Sequence, residues 1–177
     1  MFKEWDEFYL LAGSAAAVLI GLIFVVMTLM QDRPRSSVLA GARLYMGPVV
    51  LQVSFVLVLS SAALVPGISG AAFAGVCAVV ALWGLARGVM SLAGLAAIKD
   101  PEVHWTDKWF YGAIPAALFA ALAVVAWAFW SAQNWAPVGT AAVITGILLL
   151  AIRNEWDLVT WLAPRADDDA PDVKVDQ

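Results

Sequence analysis

Residues 109–152 read WFYGAIPAALFAALAVVAWAFWSAQNWAPVGTAAVITGILLLAI, without one charged side chain. As a single helix at 1.5 Å per residue this stretch would run roughly 66 Å, about twice the hydrocarbon thickness of a bilayer. It therefore reads as two helices with a turn between them. The only polar, proline-bearing place for that turn is Ser131-Ala132-Gln133-Asn134-Trp135-Ala136-Pro137. A helical hairpin inside lipid is the seed of the fold.

Working outward, the same length argument finds three more apolar runs. Phe8 to Met30 carries no charge and is stopped by Gln31-Asp32-Arg33-Pro34-Arg35. Leu44 to Val65 is closed by Pro66-Gly67, a strong turn signal. A third run starts near Ile68 and is apolar to Ile98 except for Arg87. The spans are thus about 8–30, 44–65, 68–92, 110–131 and 136–153, the last extendable through Arg153 to Leu162. Composition agrees: 63% of the 177 residues are hydrophobic, 14% are charged, and the mean hydropathy is +0.84. A soluble domain carries roughly 25% charged residues, so this chain cannot cover a water-facing surface. The expected fold class is an all-α polytopic transmembrane bundle of about five helices, occupying residues 1–164. No strand-like alternation supports a membrane β-barrel. Net charge −4 without a basic stripe argues against nucleic acid, and the single Cys77 against a disulfide scaffold or a cysteine zinc site.

Basic residues predict orientation. Arg33, Arg35, Arg43, Arg87, Lys99, Lys108, Arg153, Arg165 and Lys174 all fall on one side of a five-span arrangement, against Lys3 alone on the other. The positive-inside rule then places the N-terminus outside and the C-terminus inside. The acidic start Lys3-Glu4-Trp5-Asp6-Glu7 has the wrong sign for a signal peptide, so the first span is expected to be retained. Trp5, Phe8, Tyr9, Trp127, Trp130 and Trp135 at outer ends, with Trp105, Trp109, Tyr111, Trp156 and Trp161 at inner ends, read as interfacial belts. Residues 165–177, with Asp167-Asp168-Asp169 and Pro171, read as a disordered acidic cytoplasmic tail.

The candidates for function are few. Arg87 follows about 20 apolar residues, which predicts a side chain snorkelling at the cytoplasmic boundary. The alternative is a buried arginine held by a carbonyl, Gln52, a lipid phosphate or another subunit. Gln52, Ser54, Ser60 and Ser61 are the polar groups of span two, too sparse for a transporter site. Small residues recur at helix-packing spacing: Gly13, Ala17 and Gly21 in span one, Gly84 and Gly88 in span three, Ala142 and Gly146 in span five. Such stripes let helix backbones approach closely, and packing within the subunit is the expectation for them. His104 is the only histidine, and no HExxH, serine–base pair or phosphate-binding glycine loop occurs. No catalytic, metal or cofactor site is expected, and the chain reads as a non-enzyme whose partners are the bilayer and other membrane proteins or copies of itself.

Trp5-Asp6-Glu7-Phe8-Tyr9, Ala12-Gly13-Ser14-Ala15-Ala16-Ala17, Gly21-Leu22-Ile23-Phe24-Val25 and Leu64-Val65-Pro66-Gly67 resemble a group of small uncharacterised bacterial integral membrane proteins. Some of these are labelled modulators of the membrane protease FtsH. The likeness covers roughly residues 5–67 and implies a bacterial inner-membrane protein with no catalytic residues to carry over. Two readings of function follow. One is an accessory or regulatory subunit that packs on other membrane proteins; the other is a homo-oligomeric pore lined by Arg87 or the polar residues of span two.

Overall fold

The computed structural model describes residues 4–29, 47–97 and 105–162. Its elements are all helical: α1, Asp6–Leu29; α2, Gly47–Ala63; α3, Gly70–Ala97; α4, a rod made of an α-turn Trp105–Lys108, a π-turn Trp109–Ala113 and an α-helix Ile114–Trp130; and α5, Ala136–Leu162. No strand occurs among the described residues. All five expected spans are present as helices. The acidic tail, His104 and the basic residues Arg33, Arg35, Arg43 and Lys99 lie outside the described residues.

The boundaries have local causes. Leu64 and Val65 belong to the turn rather than to span two, because Val65 N–H bonds the Ala62 carbonyl at 3.2 Å and Gly67 takes φ 74°. Ser69 then accepts the Ala72 N–H at 3.1 Å, the side-chain cap that starts α3 two residues later than the hydropathy does. The second turn is a Schellman motif: Gln133 N–H reaches the Ala128 carbonyl at 2.8 Å and Ala132 N–H the Phe129 carbonyl at 3.2 Å. Its left-handed residue is Ala132, φ 54°. Span three runs on to Ala97 and span five to Leu162, both beyond the apolar window, since nothing in their sequences breaks a helix where the bilayer ends.

α1, α3, α4 and α5 are long and apolar enough to cross a membrane, whereas α2, at 17 residues, spans about 25 Å. That shorter helix is the central one. It packs on α1, α3 and α5, while α3 and α4 make the closest pair and α4 also packs on α5. Its buried face, Val49, Gln52, Val53, Val56, Leu59, Ser60 and Ala63, meets Tyr9, Phe73, Leu122 and Ile144 in one core. Tyr9, Phe73 and Phe129 stack edge to face with centroids 6.4 and 5.0 Å apart. Two residues assigned to the interfacial belts, Tyr9 and Tyr111, are thus core residues. Trp109, Trp127, Trp130, Trp135 and Trp156 do face outward.

The exterior is as apolar as the core. Leu10, Leu11, Phe24, Val79, Leu82, Trp83, Val124 and Leu149 are all exposed. Water would not tolerate so continuous an apolar surface. The chain is a multi-pass helical membrane protein.

Candidate functional site

The closest helix pair is built by glycines. A Cβ at Gly84 would sink into the Phe119 ring, and one at Gly88 would stand 3.2 Å from the Ala116 backbone. Gly112 gives the same closeness from the α4 side, where a Cβ would stand 2.8 Å from Leu92. Lipid offers no hydrophobic drive between helices, so this backbone proximity supplies the dispersion contact that holds α3 to α4.

The expectation for α1 is only partly met. Gly13 faces α2, with 3.2 Å between its would-be Cβ and Ser60 Cβ, but Ala17 is exposed and nothing among the described residues lies within 4 Å of a Cβ at Gly21. The face of α1 that packs inward is Ala12, Ala16, Leu19 and Ile23. That stripe is one residue out of register with the glycines, about 100° around the helix. Gly146 packs on Leu118, 2.8 Å from its would-be Cβ, whereas Ala142 is exposed.

Beside the α3–α4 contact, the three helices α2, α3 and α4 leave a cavity of about 220 Å³. Pro48, Leu51 and Phe55 of α2 and Pro115 and Phe119 of α4 make its walls apolar. Its polar groups are Gln52, Arg87, Ser91 and Tyr111. Gln52 is only 4% exposed, and its Oε1 is buried without a hydrogen-bond partner among the described residues. An orphaned buried acceptor costs about 1–3 kcal/mol, so such an atom calls for a donor. Arg87 is exposed at the cavity and makes no ion pair among the described residues. The structure thus brings Gln52, Gly84, Arg87 and Gly88 to one cavity and leaves Gly13, Ala17 and Gly21 apart from it.

One side of the cavity is set by the π-turn. Its wider backbone bonds Ile114 N–H to the Trp109 carbonyl, a spacing that leaves carbonyls without their usual α-helical donors. Ser91 Oγ donates to the Tyr111 carbonyl at 2.9 Å, and Asn154 Nδ2 donates to the Phe110 carbonyl at 3.4 Å. The Tyr111 hydroxyl in turn reaches the Asn154 carbonyl at 3.5 Å. Arg153 completes this latch: its guanidinium lies 3.6 Å from the Phe110 ring centroid, 2.7 Å from Asp157 and 3.1 Å from Asn154 Oδ1. The latch joins α3, α4 and α5 at the end of the bundle where Lys108 and Arg153 lie.

Sequence reasoning passed over Ser91 and Asn154. A signal for Asn154 exists: it continues the face of Ile144, Ile147 and Ala151 at helical spacing, and all four are essentially inaccessible. Ending span five at 153 hid it. Among the described residues no group of three or more His, Cys, Asp or Glu side chains comes together as metal ligands.

No family model, no curated protein and no solved structure matches this chain.

Proposed function

We propose that the protein is a non-enzymatic accessory or regulatory subunit of the bacterial inner membrane, N-terminus outside and C-terminus inside, which docks on other membrane proteins through α1. The observation that carries this reading is a small-residue face of α1 that no described residue covers. Ser14, Ala17 and Gly21 are exposed, and only 17% of the apolar stretch of α1 is buried in the bundle, against 44% in α4 and in α5. A small-residue stripe that the described helices leave uncovered has the right shape for a helix of another chain. The resemblance to proteins labelled modulators of FtsH falls on the same segment and supports a membrane-protein partner. A pore built from copies of this chain is the weaker reading, because the outward faces of the described spans are largely apolar, with Ser14, Ser61, Arg87 and Thr145 exposed on different helices.

In-cell photo-crosslinking from a probe at Ala17 tests the proposal. The expected result is a defined heteromeric adduct that is lost in Gly21→Ile, while the purified variant keeps the parental melting temperature. A ladder of self-adducts would favour the pore. No adduct, or a bundle destabilised by Gly21→Ile, would overturn the docking role of α1.

A further inference from the structure

We propose that the cavity between α2, α3 and α4 binds a phospholipid whose head group is anionic and carries hydroxyl groups, with the phosphate on Arg87 and a hydroxyl donating to Gln52. The inference rests on the membrane placement of the chain and is independent of the docking role of α1.

The donor and acceptor inventory of the cavity defines the ligand. Arg87 supplies a planar fork of N–H donors and a positive charge, a geometry matched to phosphate oxygens. Gln52 Oε1 is a buried acceptor that the described residues leave unsatisfied, and a turn of its amide would present it to the cavity that Gln52 lines. Ser91 has committed its proton to the Tyr111 carbonyl and so offers only acceptor capacity to the cavity. One cationic fork beside the Gln52 amide, which accepts and donates, and the accepting Ser91 hydroxyl suits an anion that bears hydroxyl groups, which can donate and accept in turn. It does not suit a choline head group, which has no donor and would set its own cation beside Arg87. A phosphate without hydroxyls would satisfy Arg87 alone.

Position and shape point to lipid as the source. Arg87 lies 17 residues along α3 from Gly70, about 26 Å up the helix and close to the far boundary of a hydrocarbon core of about 30 Å. A lipid phosphate occupies that level. The walls contributed by Leu51, Phe55 and Phe119 are apolar, which fits an amphiphile and not a free hydrated anion. The volume of about 220 Å³ equals the share of roughly seven liquid waters, room for a glycerol head group but not for a whole lipid. The acyl chains would therefore run outside, along the exposed surface of α3 at Met90 and Leu82.

Native mass spectrometry of the purified full-length chain, offered phosphatidylglycerol, phosphatidic acid, phosphatidylethanolamine and phosphatidylcholine with matched acyl chains, tests this. Phosphatidylglycerol should be retained about tenfold over phosphatidylcholine, because both offer a phosphate to Arg87 but only the glycerol head donates to Gln52 and brings no cation beside the guanidinium. Arg87→Gln should weaken retention of the anionic lipids and narrow that preference by removing the repulsion of choline, and Gln52→Leu should narrow it by removing the partner of the glycerol hydroxyl. Equal retention of all four lipids by the parent overturns the proposal without any variant, should one fail to fold. Selectivity that survives both substitutions overturns it too. Displacement of the lipid by millimolar glycerol phosphate or inorganic phosphate would assign the cavity to a soluble anion instead.

Discussion

The Phe119 ring fills the space that a Cβ on Gly84 would need, so α3 and α4 meet backbone to ring without an intervening side chain. Phe119 is 2% exposed and packs edge to face on Phe55 of α2 at 5.6 Å. It therefore cannot swing away without opening the core. Gly84→Ile should lower stability by about 1–3 kcal/mol, the usual cost of overpacking. Adding Phe119→Ala should return part of that loss, because the smaller residue vacates the space. Gly75 is the control: a Cβ there meets nothing within 4 Å, and Gly75→Ala should be neutral or stabilising through helix propensity. Thermal melts of the four proteins in one detergent would check the order, and an intact Gly84→Ile melt would break the argument.

The helices were legible in the sequence because bilayer length and charge exclusion act on every span alike. Faces were not. A helix such as α1 or α4 is apolar all round, since lipid and protein core accept the same side chains, and the periodicity that marks the buried side of a soluble helix is absent. Glycine spacing was the remaining guide. Gly84, Gly88 and Gly13 lie at close helix contacts, whereas a Cβ at Gly21 would meet no described residue within 4 Å. The cavity was half visible: Gln52 and Arg87 stood out as polar groups among apolar ones. Nothing in Trp109–Ala113 announced a π-turn, so Ser91 and Asn154, which answer its carbonyls, had no visible partner in the sequence.

The latch on the π-turn should be worth measurable stability. Asn154 is fully buried, so Asn154→Ala leaves the Phe110 carbonyl without its side-chain donor and should cost about 1–3 kcal/mol. Ser91→Ala removes a bond in a half-buried setting and should cost nearer 0.5–1.5 kcal/mol. Both would be read as melting temperatures. Two silent substitutions would mean that the π-turn is held by packing alone.

The Schellman turn between α4 and α5 carries a conformational cost that one substitution can remove. Ala132 adopts φ 54°, a left-handed geometry that costs a residue with a Cβ roughly 1–2 kcal/mol and glycine almost nothing. Ala132→Gly also loosens the unfolded chain, which offsets part of the gain. The net expectation is a stabilisation of about 0.5–1 kcal/mol, visible as a raised melting temperature. A lowered one would place the strain elsewhere in the turn.

Orientation can be tested with the chain's single thiol removed. Cys77 is fully buried beside Phe73 and Val80 in the core, so the folded parent should resist maleimide until it is denatured. Cys77→Ala should therefore give a silent background that still folds. In it, Arg87→Cys and Asn134→Cys report opposite sides of the bundle: Arg87 lies 17 residues along α3 from Gly70, about 26 Å from the level of the Ser69 cap, and Asn134 lies in the exposed α4–α5 turn. With eight of the other nine basic residues expected on one side of five spans, the positive-inside rule predicts Arg87 at the cytoplasmic side and Asn134 outside. An impermeant maleimide applied to intact spheroplasts should thus label Asn134→Cys, and label Arg87→Cys only in inside-out vesicles. The reverse pattern would invert the topology, and with it the leaflet that serves the lipid cavity. Protection of Arg87→Cys from both sides would show that the position is buried in lipid or by another chain, removing the boundary placement on which a phosphate contact depends.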